Sequence, residues 1–417
     1  MTISKIPDGY KQTEIGVIPE DWEVKRLQET VKKFLNGGTP STQKVEYWCG
    51  HIPWITGADI VKQQVSDIRR FITLGAIKNS STNIVEKGNL LLVSRTGVGK
   101  LAIAPFDIAI SQDFTGIYLK NEILLTKYIY YYLDFNSCEL QSQNQGTSIQ
   151  GITRDRLSIM LIPIPPIPEQ SAIAAALSDT DSLITSLEQL IAKKRAIKQG
   201  AMEELLTGKR RLPGFCGEWE VKKLGEVSFV TKLAGFEYTM YFDYSKSGDV
   251  VAIRALNIKN GKLKLNDIHT IPKETSNLLK RSKLFKGDLV LSYVGTLGQV
   301  AVIPEDDKYH LAPNVAKVSV NRNKVDSFYL NQFLNSERGQ CEILKLAAST
   351  TQAALSMQNL REVLILLPNT KAEQTAIAQI LSDMDTEIEA LEQKLEKYKK
   401  IKQGMMEELL TGRTRLI

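Results

Sequence analysis

Two glycine-rich strings carry the side chains with the clearest chemical potential in this chain. In Ser94-Arg95-Thr96-Gly97-Val98-Gly99-Lys100, a guanidinium, a hydroxyl and an ammonium flank a turn whose glycines permit close approach of a ligand. In Tyr293-Val294-Gly295-Thr296-Leu297-Gly298-Gln299, a phenol, a hydroxyl and an amide take comparable places. Such groups suit phosphate oxygens and the donor and acceptor edges of bases. The first string superficially resembles a nucleotide-phosphate loop, but the GxxxxGK[ST] pattern fails at two positions. Ser94 stands where glycine is required, and Leu101 where Ser or Thr is. No GxSxG nucleophile elbow, HExxH or GxGxxG turn occurs. The histidines (His51, His269, His310) and cysteines (Cys49, Cys138, Cys216, Cys341) are scattered, with no CxxC pair. They predict reduced thiols and neither a metal site nor a histidine-based centre. Recognition is the chemistry on offer, and catalysis is not.

Two further sets of residues could join these turns. Polar strings at 146–150 (with Thr147, Ser148, Gln150) and 349–353 (with Thr350, Thr351, Gln352) supply short hydroxyls and amides suited to phosphate and adenine. Trp54 and Thr56 align with Ile253 and Arg254; Trp54 reads as core, whereas Arg254 could pair bidentately with guanine. The cluster Lys280, Arg281, Lys283 and Lys286 is a phosphate-facing or a merely solvated face.

The elements that must position these residues come in two sets. Lys87–Pro105 and Lys286–Pro304 each read as strand, glycine-rich turn, strand. Each is followed by an aromatic helix-like stretch (Tyr128–Phe135; Phe328–Leu334), then the polar string, then an apolar strand (Leu157–Ile164; Leu360–Leu367). Each module opens on Trp-Glu-Val-Lys, at Trp22 and Trp219. Outside this framework the modules diverge, which predicts one scaffold with two working surfaces.

A long segment after each module is nearly the same. From Glu169 to Leu212 and from Glu373 to Leu416, 27 of 44 aligned positions are identical. That spacing signals duplication of a whole module and not a solenoid, whose units are about 20–50 residues. In the second copy Ile377, Leu381, Met384, Ile388, Leu391, Leu395, Tyr398, Lys402, Met405 and Leu409 step by 4, 3, 4, 3, the seam of a coiled coil. The first copy repeats it from Ile173 to Leu205 with more polar members, Thr180, Lys194 and Lys198. Each stripe needs cover, and the simplest cover is the other helix. Pro165, Pro166, Pro168 and Pro368 mark the starts; Gly208 and Gly412 mark the ends. A helix of ~38 residues spans roughly 57 Å. Gly200 and Gly404 interrupt both copies in the same IKQG string, at about 1 kcal/mol each. They point to close approach of another backbone or a partner, or to a relic of duplication. The helices could run parallel or antiparallel.

Charge places the cations on the modules. Residues 20–165 hold 16 Lys/Arg against 14 Asp/Glu, and residues 209–368 hold 23 against 16, within a net charge of +6. Modestly basic modules fit nucleic-acid contact without requiring it. No signal-peptide-like start or apolar run of membrane-spanning length occurs, so a cytoplasmic location is expected.

The strings EQxAIAxxLSDxD and IKQGxMxELLTG, with this module–helix–module–helix order, resemble the specificity (S) subunit of type I restriction–modification systems. The resemblance covers essentially the whole chain. It implies an α+β fold: two related mixed α/β target-recognition domains joined by two long helices, packed as an antiparallel intramolecular coiled coil with pseudo-two-fold symmetry. The expected domains are 1–165 (first target-recognition domain, with the N-terminal segment), 166–208 (first helical region), 209–367 (second target-recognition domain) and 368–417 (second helical region). It further implies a non-catalytic subunit that reads a split double-stranded DNA target and docks two modification (methyltransferase) subunits. S-adenosylmethionine would sit on those partners, and restriction/translocase subunits could join. The candidate DNA contacts are then Arg95, Thr96, Lys100, Ser148, Gln150, Arg254, Tyr293, Thr296, Gln299, Thr350 and Gln352. Gly200 and Gly404 are the candidate partner contacts. The competing reading is a coiled-coil scaffold whose modules bind proteins and not DNA.

Overall fold

A computed structural model describes residues 6–142, 151–245, 247–347 and 354–416. The chain forms two compact units: 1–188 with 394–417, and 189–393. Each unit therefore takes one module, part of the helix that follows it and part of the other long helix.

The first module is built on two four-stranded sheets. In one, the hairpin strands Leu90–Val93 and Leu101–Ile103 pair antiparallel, and Phe114–Leu119 and Val31–Asn36 extend the sheet. In the other, Ile52–Ile55 runs parallel to Ile108–Ile110, between the outer strands Phe71–Ile72 and Asn83–Val85. Ile55, Leu91, Val93, Ile108, Ile110 and Phe114 share one buried core of this module. The central strands read as continuous apolar runs because they are covered on both faces. The second module repeats the plan. Leu289–Ser292, Val300–Val302, Val315–Val320 and Ser228–Lys232 form one sheet, and Val250–Ile253 runs parallel to Tyr309–Leu311 in the other. The predicted strand–turn–strand units and both aromatic helices, Thr126–Phe135 and Ser327–Asn335, are present.

Two expectations need correction. The apolar runs before the long helices are strands only over Leu161–Ile164 and Leu364–Leu367. The residues ahead of them form short helices, Arg154–Ile159 and Met357–Glu362, because Thr153 and Ser356 accept hydrogen bonds from the amides of Arg156 and Asn359 and start a helical turn. The second correction is one of register. Ser111 and Ala312 donate to the carbonyls of Ile55 and Ile253, so Ile55 corresponds to Ile253, Thr56 to Arg254 and Trp54 to Ala252.

The repeated strings are structural at their Glu-Gln start. Gln170 accepts from the Leu125 amide at 2.8 Å and donates to the carbonyls of Ile123 and Pro165. Gln374 does the same with the Asp326 amide and the carbonyls of Lys324 and Pro368. Each glutamine thus stitches the start of its long helix to the loop before the aromatic helix. Glu169 is bound by Arg415, and Glu373 by Arg211, each through a two-pronged guanidinium contact.

The long helices, Ile167–Leu205 and Lys371–Leu409, each span 39 residues, about 58 Å. Within the first unit, Thr180, Asp181 and Glu188 meet Met405, Lys402 and Lys399 in descending order, so the pair runs antiparallel. Within the second, Lys194 and Lys198 pair with Glu387 and Asp385, again antiparallel. The seam residues Ile173, Leu177, Leu381 and Ile377 are fully buried and Leu205 and Leu409 nearly so, as are Met202 and Met406, one position past the seam. Gly208 and Gly412 adopt the left-handed conformation (φ +73 for both) just past the helix ends, as expected of terminating glycines. No helix among the described residues is long and apolar enough to cross a membrane.

Candidate nucleic-acid interface

In the first unit the glycine-rich turn is a hairpin tip held by left-handed Gly97 and Gly99. A side chain at Gly99 would press on Gln141 and the Ser137 carbonyl, so this glycine serves packing as well as conformation. Arg95 and Thr96 are exposed. Lys100 folds back, and its Nζ donates to the Gly57 carbonyl at 3.1 Å. Among the described residues the turn therefore presents one unpaired guanidinium and one hydroxyl, and spends its ammonium internally.

Arg95 lines an open groove of about 930 Å³. Asn36, Asn83, Gln112, Thr153 and Arg154 line it with Arg95, and among the described residues no carboxylate does. Their supports are rigid. Asn36 ends the strand Val31–Asn36 and pairs in register with Thr115. Gln112 lies in the tight link between Ile108–Ile110 and Phe114–Leu119, and its Oε1 accepts from the Thr39 hydroxyl. Asn83 donates to the Asn36 carbonyl at 2.8 Å. Arg154 lies over the Phe34 ring at 5.2 Å, which holds the guanidinium by cation–π attraction, and its N–H groups have no partner among the described residues. Sequence reasoning missed Asn36, Asn83, Gln112 and Arg154. They are single polar residues far apart in the chain, and no local pattern joins them.

The second unit uses the same frame differently. Its turn is held by left-handed Gly295 and Gly298. Thr296 is exposed, and its carbonyl accepts from the Ser292 hydroxyl. Tyr293 is half-buried, with its backbone bonded to Asn314 and Leu355; burial raises the pKa of its hydroxyl, so it stays a neutral donor. The Lys232 ammonium sits 5.5 Å from the Tyr293 ring, and the Lys232 carbonyl accepts from Arg281 at 3.4 Å. Lys232, Arg281 and Tyr293 thus form one basic and aromatic edge, with the Glu237 carboxylate 3.7 Å from the Arg281 guanidinium. Lys280 is exposed close by in sequence, whereas Lys283 is spent on Asp307 at 2.7 Å.

Two residues of the predicted set face elsewhere. Gln299 turns away from Tyr293, and its Oε1 accepts from the Asn260 amide at 3.3 Å. It lines a cleft of about 570 Å³ with Asn331, Asn335, Lys198 and Asp385. In the first unit the side chain of Gln63 bonds to Leu101 and Asp134 at the corresponding hairpin turn, where the second unit has Gly261. Arg254 is tied locally: its Nη2 donates to both the carbonyl and the carboxylate of Asp267 at 3.0 Å. The expected free fork for guanine is therefore not presented, because a neighbouring acid occupies it. Trp54 is core, as expected, with its indole N–H on the Gly38 carbonyl and the Thr82 hydroxyl. Ser148, Gln150, Thr350 and Gln352 lie outside the described residues.

On the long helices, Gly200 and Gly404 are exposed, and a Cβ built at either would touch nothing within 4 Å. Among the described residues no other backbone comes within 4 Å of a Cβ at either position, so close approach of another backbone is not seen there. Ile197 and Ile401, one position each in the same repeated string, are 48% and 39% exposed. At i, i+3 spacing each isoleucine shares its glycine's face. Among the described residues no group of His, Cys, Asp or Glu could hold a metal ion.

Residues 19–199 and 217–400 match the family described as type I restriction modification DNA specificity domain. The chain is 27% identical to the MjaVIII type I restriction enzyme specificity subunit of Methanocaldococcus jannaschii, across 98% of this chain and 96% of that one. It is 29% identical to the EcoR124I/EcoR124II specificity subunit of Escherichia coli, across 46% of this chain and 49% of that one. In fold it is similar to the S subunit of a type I restriction–modification system from M. genitalium, with a TM-score of 0.63 and 15% identity over 97% of this chain and 98% of that one.

Proposed function

Because this chain belongs to the type I restriction–modification DNA specificity family, whose specificity subunits are non-catalytic, we propose that it reads a split DNA sequence, one half with each module. It carries out no bond-making step. Its partners are DNA and the other subunits of such a system. The observation that carries the reading is the pairing of one scaffold with two different polar surfaces. The first is a groove lined by amides and guanidiniums, with no carboxylate among its described residues, and the second a Lys232–Arg281–Tyr293 edge. Arg95 and Thr96 in the first unit and Tyr293 and Thr296 in the second are the members of the predicted set that supply DNA contacts. Lys100, Gln299 and Arg254 support the frame.

Two methyltransferase subunits dock on the helices, at Ile197 with Gly200 and at Ile401 with Gly404. Two copies of one exposed isoleucine–glycine face suit two copies of one partner. S-adenosylmethionine is held by those partners, and the assembly works in the cytoplasm.

The test is selection of DNA from a random pool by the full chain in complex with its methyltransferase. A gapped, two-part consensus is expected, with affinity falling steeply as salt rises, since each phosphate contact contributes about −0.9 to the slope. An ungapped consensus, or none, would refute the split-target reading. Salt-insensitive partner binding without DNA affinity would point to a protein-binding scaffold instead.

A further inference from the structure

We infer that the first unit selects adenine in its half of the target through the side-chain amides of Asn36 and Gln112. This inference rests on the DNA-reading function proposed above and names the chemistry of one half of it. In the major groove adenine shows an acceptor at N7 beside a donor at N6, and a carboxamide offers the complementary donor and acceptor in one plane. Guanine needs two donors there, and cytosine an acceptor. An amide pair therefore discriminates in a way that lysines or hydroxyls do not.

Both side chains open on the same groove of about 930 Å³ and are exposed. Among the described residues, the Asn36 amide has no hydrogen-bond partner, because it is the Asn36 main-chain carbonyl that Asn83 uses. Among the same residues, Gln112 accepts through its oxygen from the Thr39 hydroxyl and its N–H donors have no partner. That hydroxyl can rotate to free the oxygen when a base arrives.

The two residues are held next to one another by a close backbone seam. Gly37 and Gly38 donate to the carbonyls of Phe114 and Ile110. A Cβ at Gly37 would fall 2.0 Å from the Ser111 carbonyl oxygen, so only glycine lets this segment lie against the residue before Gln112. The amides thus sit on fixed backbone, and a recognition contact gains from that pre-organisation. Arg95 and Arg154 line the same opening and supply phosphate-directed charge.

The device is specific to the first unit. By sheet register, Lys232 stands at the place of Asn36 and Pro313 at that of Gln112, so the second unit has no amide at either. The two halves of the target are accordingly read by different chemistry.

The experiment compares DNA selected from a random pool by the full chain with its methyltransferase partner, wild type against Asn36→Ala, Gln112→Ala, Asn36→Asp and Gln112→Glu. The exposed positions leave the fold intact, which retained partner binding verifies. The expected result is a loss of adenine preference of about 5- to 150-fold, the worth of one bidentate base contact. It falls at positions within one half of the consensus while the other half is unchanged. The acidic variants, which keep an acceptor but lose the donor, move the preference towards cytosine. Unchanged consensus in the variants, or relaxation spread over both halves, would overturn the amide assignment while leaving the split-target reading standing. A wild-type complex that selects no sequence would overturn both.

Discussion

Lys402 Nζ and Asp181 Oδ1 lie 2.7 Å apart across the antiparallel helix pair of the first unit, and Lys198 and Asp385 repeat the contact at 2.6 Å in the second. Both lysines occupy seam positions where an apolar residue is the rule, and both are mostly covered. Each carboxylate accepts a second bond, Asp181 from the Tyr131 hydroxyl and Asp385 from the Gln332 amide. A covered lysine finds its acid in one register only. A slip along the seam strands both charges, so the pair specifies alignment more than it adds stability.

The prediction is a coupling energy. Lys402→Met alone leaves the acid without its cation, and Asp181→Asn alone leaves the ammonium without its anion. Each should cost about 1–3 kcal/mol. The double change Lys402→Met with Asp181→Asn keeps an acceptor for Tyr131 and should recover about 0.5–3 kcal/mol of the summed loss. Denaturant unfolding of the four chains measures this. Strict additivity would mean that the pair does not act as a pair.

A second prediction concerns Arg415. Its guanidinium binds Glu169 through two bonds of 2.7 and 2.8 Å and Asp21 through two of 2.9 and 2.7 Å, while Trp22 donates to Glu169 at 2.9 Å. Glu169 is only 4% exposed, so Arg415→Ala strands a buried carboxylate and should cost about 3–5 kcal/mol. Arg415→Lys should recover only part, because an ammonium cannot reproduce the fork. The hydrogen bond from Arg415 also lowers the Asp21 pKa from its ordinary value. A depressed carboxylate stabilises above its unfolded pKa and loses that contribution as pH falls through the folded one. Asp21→Asn should therefore flatten, slightly, the acid limb of the melting-temperature profile. An unchanged limb would show that this exposed prong contributes nothing.

These contacts mark the boundary of what could be read from the chain alone. The heptad step, the proline starts and the terminal glycines were legible because each follows from local conformation, and the helices, Ile167–Leu205 and Lys371–Leu409, run where those signals place them. The antiparallel direction was not readable from the heptad pattern, since both seams fit either way. It shows in long-range pairs such as Thr180 with Met405. The site divided along the same line. Arg95 could be singled out because it neighbours a glycine turn, and the fold leaves it exposed on the groove. Asn36 and Gln112 meet only through sheet register, which no window of sequence displays. Arg254 shows the converse: its sequence neighbours do not display the contact its guanidinium makes with Asp267, thirteen residues on.

A third prediction uses the second module's buried histidine. His310 is fully buried, with its Nδ1 2.9 Å from the Leu311 carbonyl and its Nε2 3.3 Å from that of Leu279. Burial lowers its pKa, outweighing these carbonyls and Glu237, while Lys317 adds to the lowering. The unfolded chain then binds the proton more readily than the folded one. Stability should fall as pH drops through the ordinary histidine range and level off below the depressed value. Hydrogen exchange of the amides of Val250–Ile253 and Tyr309–Leu311 should report this loss between about pH 7 and 5. Equal protection at both ends of that range would contradict it. The first unit has Ala109 at the same place and should not share the effect.

The last prediction separates folding from docking at the two repeated glycines. A methyl group at Gly404 or Gly200 meets nothing, so Gly404→Ala should stabilise the free chain by about 0.5–1 kcal/mol through helix propensity alone. Gly412→Ala should do the opposite, because Gly412 is left-handed and a Cβ there falls 2.5 Å from Pro19. If the glycines exist to admit the methyltransferase closely, the stabilised Gly404→Ala chain should bind that partner more weakly, and Gly404→Leu more weakly still. Ile401→Asp should weaken docking by about 1–3 kcal/mol while leaving the chain's melting temperature near wild type, since Ile401 is already 39% exposed. The matching changes at Gly200 and Ile197 should lower the number of partner copies bound from two towards one. Sedimentation of the complexes measures that number. Full occupancy by two partners in the variants at Gly200 and Gly404 together would mean that the glycines are a relic of duplication and that docking lies on another face.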